Sequence, residues 1–301
     1  MVYKLKLDET TDTEMLEDRF GPRSLRFSKL HGNGNDFILI DEMSCSLVPE
    51  EKKISLAMKL CNRNFGIGAD GVLFLTSSSQ AEVGMRLLQP DGSEAEMCGN
   101  GIRCLAKYAW DSGYVAESFQ VETLAGVLPV QVRMEGGTFW AKVEMGVPRF
   151  DRRSIPAAGN GELLKVRLEG LEVSAVNTGV PHAVVFVDDP ELPIMEVAPG
   201  IRHHQTFPQG TNVNFVCLGS DLRVRTFERG VEGETFSCGT GAVASAAVAR
   251  RLGHVGNRVL VRTKGGPLMV YFEGDRAFLE GPASTVFNGE LTEEYLLSEG
   301  L

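Results

Sequence analysis

The same short pattern opens two segments of this chain. Residues 94–104 read EAEMCGNGIRC and residues 235–245 read TFSCGTGAVAS. Each sets a cysteine directly before Gly-x-Gly and a run with helical spacing. In the first run Ile102, Leu105, Ala106 and Ala109 fall at i, i+3, i+4 and i+7, and Asp111-Ser112-Gly113 ends it. In the second, almost every residue from 242 to 249 is small or apolar, as a helix surrounded by protein requires. Arg250-Arg251 then gives it a favourable charge at its C-terminal end. A chain that forms one glycine-opened helix start twice is constrained toward an internal duplication.

What surrounds these helices is strand-like. FILID (37–41), GVLFL (71–75), GMRLL (84–88), AVVFV (183–187), NVNFV (212–216), RVLVR (258–262) and LMVYF (268–272) are short β-branched and aromatic runs bounded by turn residues. PEEKKISLAMKLCNR (49–63) predicts a further helix with Ile54, Ala57, Met58 and Cys61 on its apolar face. Each half also carries an asparagine-bearing strand before its cysteine, GNGNDFILI and GTNVNFVCL, read as equivalent strands. The expected fold class is α+β. Two pseudo-symmetric domains each curl a mostly antiparallel sheet around a central helix, and the active site lies in the cleft between them. The expected boundaries are a polar extension at 1–24, a first domain at 25–145 completed by about 285–301, and a second at 146–284. The second starts in the Gly- and Pro-rich stretch 146–162.

Composition excludes several classes. With 40 acidic against 30 basic side chains the net charge is −10, which is wrong for nucleic-acid binding. No apolar run approaches a membrane span, and the opening residues lack the apolar stretch of a signal peptide. Six cysteines without a CxxC pair argue against a disulfide framework or a structural zinc site and fit a cytoplasmic protein. His203-His204 has no third ligand nearby and reads as a solvated loop, so no metal is expected. GIGADG (66–71) fits a dinucleotide-binding fingerprint formally, but a helix precedes it and a strand follows, the reverse of what that motif needs.

A thiol at a helix start is exposed to partly positive, unpaired N–H groups, which are expected to lower its pKa. The same N–H groups, opened by glycine, hold carboxylates. Two such units facing one carboxylate would let one thiolate remove an α-proton while the other thiol protonates the opposite face, inverting the centre without a cofactor. The competing reading is a module that grips an anion without chemistry. Cys45, Cys61, Cys104 and Cys217 read as ordinary small buried residues.

HGNGNDFILID (31–41), FGIGADGVL (65–73), PDGSEAEMCGNGIRC (90–104), NTGVPHAVV (177–185), GTNVNFV (210–216) and ERGVEGETFSCGTGA (228–242) together resemble diaminopimelate epimerase, in the family's order. The resemblance implies a cofactor-independent isomerase that interconverts LL- and meso-diaminopimelate in lysine biosynthesis, and a homodimer. It implies that Cys98 and Cys238 are the acid and base, and that His182 and Glu228 orient or polarise the catalytic groups. Gly99, Asn100, Gly239 and Thr240 would hold the reacting carboxylate, while Asn35, Gln89, Asn212, Glu228 and Arg229 bind substrate. The sequence departs from commoner members at Gly71, Gln89 and Val180, so the contact that valine cannot make is lost or supplied elsewhere, with Asn177 a candidate to supply it. Proline racemase and hydroxyproline epimerase resemble the same fold, but Asn100 stands where they typically carry histidine. Phenazine-type isomerases lack the cysteine pair.

Overall fold

The computed structural model describes residues 24–298, so the extension expected at 1–24 lies almost wholly outside the described residues. The first half runs β1 (Leu25–Gly32), β2 (Asn35–Glu42), α1 (Glu50–Cys61), β3 (Gly71–Thr76), β4 (Val83–Leu88), β5 (Glu94–Ala95), α2 (Gly99–Asp111), β6 (Ser118–Thr123), β7 (Gly126–Glu135) and β8 (Thr138–Gly146). After an irregular stretch come β9 (Val166–Leu168), β10 (Leu171–Asn177), β11 (Pro181–Phe186), α3 (Ile194–Arg202), β12 (Asn212–Leu218), β13 (Leu222–Glu228), β14 (Gly233–Thr235), α4 (Gly239–Arg251), β15 (Arg258–Thr263), β16 (Gly266–Glu273) and β17 (Arg276–Pro282). β18 (Ser284–Leu291) and α5 (Glu293–Ser298) close the chain, with β18 antiparallel to β1.

The two halves repeat strand for strand. β1 and β2 are antiparallel, β2 and β3 parallel, β3 and β4 antiparallel, β4 and β6 parallel, and β6, β7 and β8 antiparallel. The series β10, β11, β12, β13, β15, β16 and β17 repeats those senses in the same order. β8 and β17 pair with each other and join the halves. This register corrects the expected equivalence of the asparagine strands. GNGNDFILI supplies β2, whose counterpart is β11, whereas GTNVNFVCL supplies β12, the counterpart of β3. A shared asparagine was a poorer guide than pairing order.

Each central helix is wrapped by its own strands. Ile102, Leu105, Ala106 and Ala109 of α2 are fully buried in a core with Leu30, Leu73, Leu87 and Val143. α4 buries Ala242, Val243, Ala244, Ala246, Ala247, Val248 and Ala249 against β10, β13, β15 and β16. Its small side chains let strands approach from several sides, and its one polar residue there, Ser245, donates to the Gly241 carbonyl one turn back.

Two outer helices depart from the sequence pattern. α1 buries Lys53, Leu56, Ala57, Leu60 and Cys61, while Ile54 and Met58 are half exposed. The face is displaced from the expected one because Glu42 of β2 takes the Lys53 ammonium at 2.5 Å, and Ile54 and Met58 instead cover the turn at Gly92. α3 was not expected, since Pro199 interrupts it; Ile194, Ala198 and Ile201 still bury one face. Among the described residues no helix is long and apolar enough to cross a membrane.

Candidate active site

Both cysteines are N-cap residues in extended conformation, and each thiol accepts from the N–H three residues on: Gly101 N to Cys98 Sγ and Gly241 N to Cys238 Sγ, both 3.4 Å. The helix starts abut. A Cβ on Gly239 would lie 3.8 Å from the α-carbon of Gly99 and 3.0 Å from a Leu279 methyl of β17. Glycine at 239 thus leaves room for the Leu279 methyl packed beside the two helix starts, and two positive helix ends meeting in this way favour an anion between them.

On the Cys98 side, Asn35 opens β2 and turns its Oδ1 toward the thiol at 3.9 Å. Asn100 Nδ2 donates to that same oxygen and, across the cleft, to the Ser237 carbonyl, both at 3.1 Å. Asn100 Oδ1 and Ser237 Oγ are buried without a hydrogen-bond partner among the described residues. Asp70, which the sequence reading missed, accepts from Asn35 Nδ2 at 2.6 Å.

On the Cys238 side a buried chain of hydrogen bonds leads to the thiol. Asn214 Nδ2 donates to His182 Nδ1 at 3.0 Å, which assigns the ring proton to Nε2. That proton goes to Thr240 Oγ1, also 3.0 Å away, so the Thr240 hydroxyl directs its own proton to Cys238 Sγ at 3.3 Å. His182 thus meets the cysteine only through Thr240. Burial pulls its pKa down to about 3, keeping it neutral. Glu228 ends β13, accepts from the Thr235 hydroxyl, and has its carboxyl raised by burial.

The other expected contacts are less direct. Asn212 donates to the Pro181 carbonyl at 3.1 Å and accepts from the Arg229 N–H at 2.8 Å, so its amide braces the corner carrying Glu228 and Arg229. The Arg229 guanidinium is bonded to the Gln209 carbonyl at 3.2 Å. Gln89 is exposed and donates to Ser93 Oγ at 3.1 Å. Asn177 is occupied by the Ser154 carbonyl and the Gly179 N–H, so it does not stand in for the contact missing at Val180.

The expected lowering of the thiol pKa is overturned. Both thiols are raised, chiefly by burial, with the helix-start N–H groups only partly offsetting it; nearby Glu228 raises Cys238 further. Desolvating a thiolate outweighs a few N–H dipoles. Cys61 and Cys104 are buried as expected, but Cys45 is exposed and Cys217 partly so. Among the described residues no three His, Cys, Asp or Glu side chains cluster as metal ligands, and His203 caps α3, facing Glu232 at 3.5 Å. GIGADG lies between α1 and β3, with the helix before the strand.

The diaminopimelate epimerase profile matches residues 27–150 and 174–286. The chain belongs to the diaminopimelate epimerase family. A diaminopimelate epimerase of Methanothrix thermoacetophila is 66% identical over 272 residues, 90% of this chain and 98% of that one. One from Methanocella arvoryzae is 56% identical, over 90% and 98% of the two chains. Among solved structures, a PhzF-family phenazine biosynthesis protein of Bacillus anthracis superposes with TM-score 0.67 at 18% identity, covering 90% of this chain and 99% of that one. A hydroxyproline epimerase from Agrobacterium vitis does so with TM-score 0.64 at 18% identity, covering 93% and 95%. At that identity the structures share the fold.

Proposed function

We propose that the chain interconverts LL- and meso-2,6-diaminopimelate by two-thiol acid/base chemistry, without a cofactor, in lysine biosynthesis. The observation that carries this is the meeting of two cysteine-capped helix starts at Gly99 and Gly239. The α-carboxylate of the substrate lies between them, held by the N–H groups of Gly99, Asn100, Gly239 and Thr240, with the Ser237 hydroxyl left to donate to it and Asn100 Oδ1 to accept from the α-ammonium. One thiolate of Cys98 and Cys238 takes the α-proton, and the other thiol delivers a proton to the opposite face. The charge that the carboxylate gains in between is stabilised by both helix ends.

His182 acts through Thr240 to direct a proton toward Cys238, and Glu228 polarises that thiol. The distal ammonium and carboxylate are taken by Glu228 and Arg229, with Asn35, Gln89 and Asn212 completing the site. Both cysteines stay reduced in a cytoplasmic setting, and the working form is a homodimer. The domains divide near residue 146, the last segment returning to the first domain, as the pairing of β18 with β1 supports.

The test is reduced protein in D2O with LL-diaminopimelate, reading α-deuteration by NMR and the meso isomer by chiral chromatography. Exchange with isomer formation supports the reading. Exchange of proline or hydroxyproline instead would keep the mechanism and change the substrate, and no exchange with any of them would leave an anion-binding module.

A further inference from the structure

The two pseudo-symmetric thiols do not have pseudo-symmetric surroundings. Counted from the capping cysteine, Arg103 of α2 matches Val243 of α4, and both are fully buried. Leu88 pairs with Glu94 as Phe227 pairs with Glu234, so the next residues, Gln89 and Glu228, also correspond. Cys98 has a cation behind it and a neutral amide at the matching strand position. Cys238 has a valine behind it and a carboxylate beside it.

Arg103 makes no ion pair with a carboxylate among the described residues. Its guanidinium donates to neutral oxygens alone: Asn33 Oδ1 at 2.8 Å, the Gly99 carbonyl at 3.1 Å and the Pro282 carbonyl at 3.4 Å. Gly32 and Gly281 make room for it, since a Cβ on either would come within 3.1 Å and 3.0 Å of the group. Asn33 continues the link across the cleft, donating to the Pro267 carbonyl at 3.2 Å. A charge in a dry slot without a counter-ion is costly. Burial brings Arg103 down to about 10, which leaves it protonated at neutral pH.

On the epimerase reading above, we infer that Arg103 is a positioning residue that makes Cys98, rather than Cys238, the thiolate of the resting pair. The charges bearing on the Cys98 thiol are Arg103 from its own helix and, more weakly, Glu228 from the other half, with the Cys238 thiol across the cleft. Of the acids on the strands around α2, Asp36, Glu94 and Glu280 are held in ion pairs with Lys29, Arg86 and Arg133, and Asp41 accepts from the Tyr108 and Tyr114 hydroxyls toward the far end of the helix. Hydrogen bonding is mixed at both thiols: Cys238 meets the Thr240 hydroxyl and, as an acceptor, the Glu228 carboxylate, while Cys98 meets the Gly101 N–H and, as an acceptor, Asn35 Oδ1. In a buried site a full charge outweighs a hydroxyl dipole, so charge decides. In the first half-cycle Cys98 S⁻ takes the α-proton and becomes a thiol, and the Cys238 thiol gives its proton to the α-carbon and becomes the thiolate. A proton then passes from Cys98 back to Cys238 to restore the resting pair.

The test is iodoacetamide alkylation of the reduced protein across a pH series, read at each cysteine by peptide mass spectrometry. The midpoint for Cys98 is expected below that for Cys238. R103Q raises the Cys98 midpoint by about one unit, a tenfold loss of rate at a fixed lower pH, and does not raise that of Cys238; R103K keeps the wild-type order. A lower midpoint at Cys238 in the wild type, or a folded R103Q with an unmoved Cys98 midpoint, overturns the inference. Should R103Q not fold, the wild-type order decides. Alkylation needs no substrate, so its failure is distinct from a failure of epimerisation.

Discussion

Asp70 Oδ2 accepts from Asn35 Nδ2 at 2.6 Å and from the Asp36 N–H at 3.2 Å. This pair fixes the face that Asn35 shows the site: with its nitrogen held by Asp70, its oxygen must point to Cys98 and Asn100. Arg63 bridges Asp70 and Asp36 from the solvent side, at 2.8 Å and 2.7 Å. An exposed loop acid thereby sets the orientation of a buried polar cluster.

Asp70→Ala frees the Asn35 amide to rotate. The expected result is a fall in kcat/KM of about 10- to 150-fold, the worth of one hydrogen bond to a charged group. Stability should change by less than about 1 kcal/mol, because the Arg63 pair is largely exposed. Steady-state kinetics beside urea denaturation separates the two; an unchanged kcat/KM would remove Asp70 from the site.

Gly239→Ala puts a methyl 3.0 Å from Leu279 and 3.8 Å from the Gly99 α-carbon. Displacing one helix start by a few tenths of an ångström misaims its N–H groups. Loss of one such donor costs on the order of 100-fold in kcat, whereas overpacking of this size costs about 1–3 kcal/mol of stability. A folded variant with wild-type kcat would show that the close approach of the helices does not matter to the chemistry.

His182 gives the protein a pH-dependent stability of known sign. Its folded pKa, about 3, lies below the ordinary histidine value. The unfolded chain therefore binds the extra proton as pH falls through about 6.5, and the native state does so only near 3. The contribution is complete above about pH 6.5 and is lost on acidification toward 3, with a slope of about 1.4 kcal/mol per pH unit between them. Urea midpoints at neutral and mildly acidic pH should diverge less in His182→Gln than in the wild type. Equal pH dependence in both would assign the loss to carboxylates instead.

The two domains carry one ion pair twice: Arg86 with Glu94, and Arg225 with Glu234, both at 2.7 Å on the short strand before the cysteine. Glu234 is 11% exposed and also takes Lys264, while Glu94 is 26% exposed. Removing one partner costs more where the charge left behind is drier. Glu234→Gln is expected to lose about 2 kcal/mol and Glu94→Gln about 1 kcal/mol. Chemical denaturation of the two variants gives the order, and the reverse order would contradict the argument from burial.

Much of the framework was legible in the chain, because it depends on local chemistry. Cys98 and Cys238 cap their helices where Gly-x-Gly follows, and the spacing of Ile102, Leu105, Ala106 and Ala109 identified the buried face of α2. The all-small run of α4 announced a helix enclosed by strands. Where a local pattern had competitors, it misled. The apolar face of α1 moved because Glu42, distant in sequence, draws Lys53 inward, and α3 formed around Pro199 because packing of Ile194, Ala198 and Ile201 overrides propensity. Asp70 and Arg103 gave no signal, since an acid in a turn and an arginine in a helix are ordinary until their neighbours are known.

The sequence by itself determined the two central helices, much of the strand framework, the duplication and the two helix-capping thiols, all of which follow from spacing, glycine and side-chain size over a few residues. The tertiary structure alone decided the ionisation and aim of the site. Whether a thiol is stabilised as an anion depends on burial and on charges such as Arg103 and Glu228 brought in from elsewhere in the fold. Those energies follow distance and dielectric, which a linear chain does not contain.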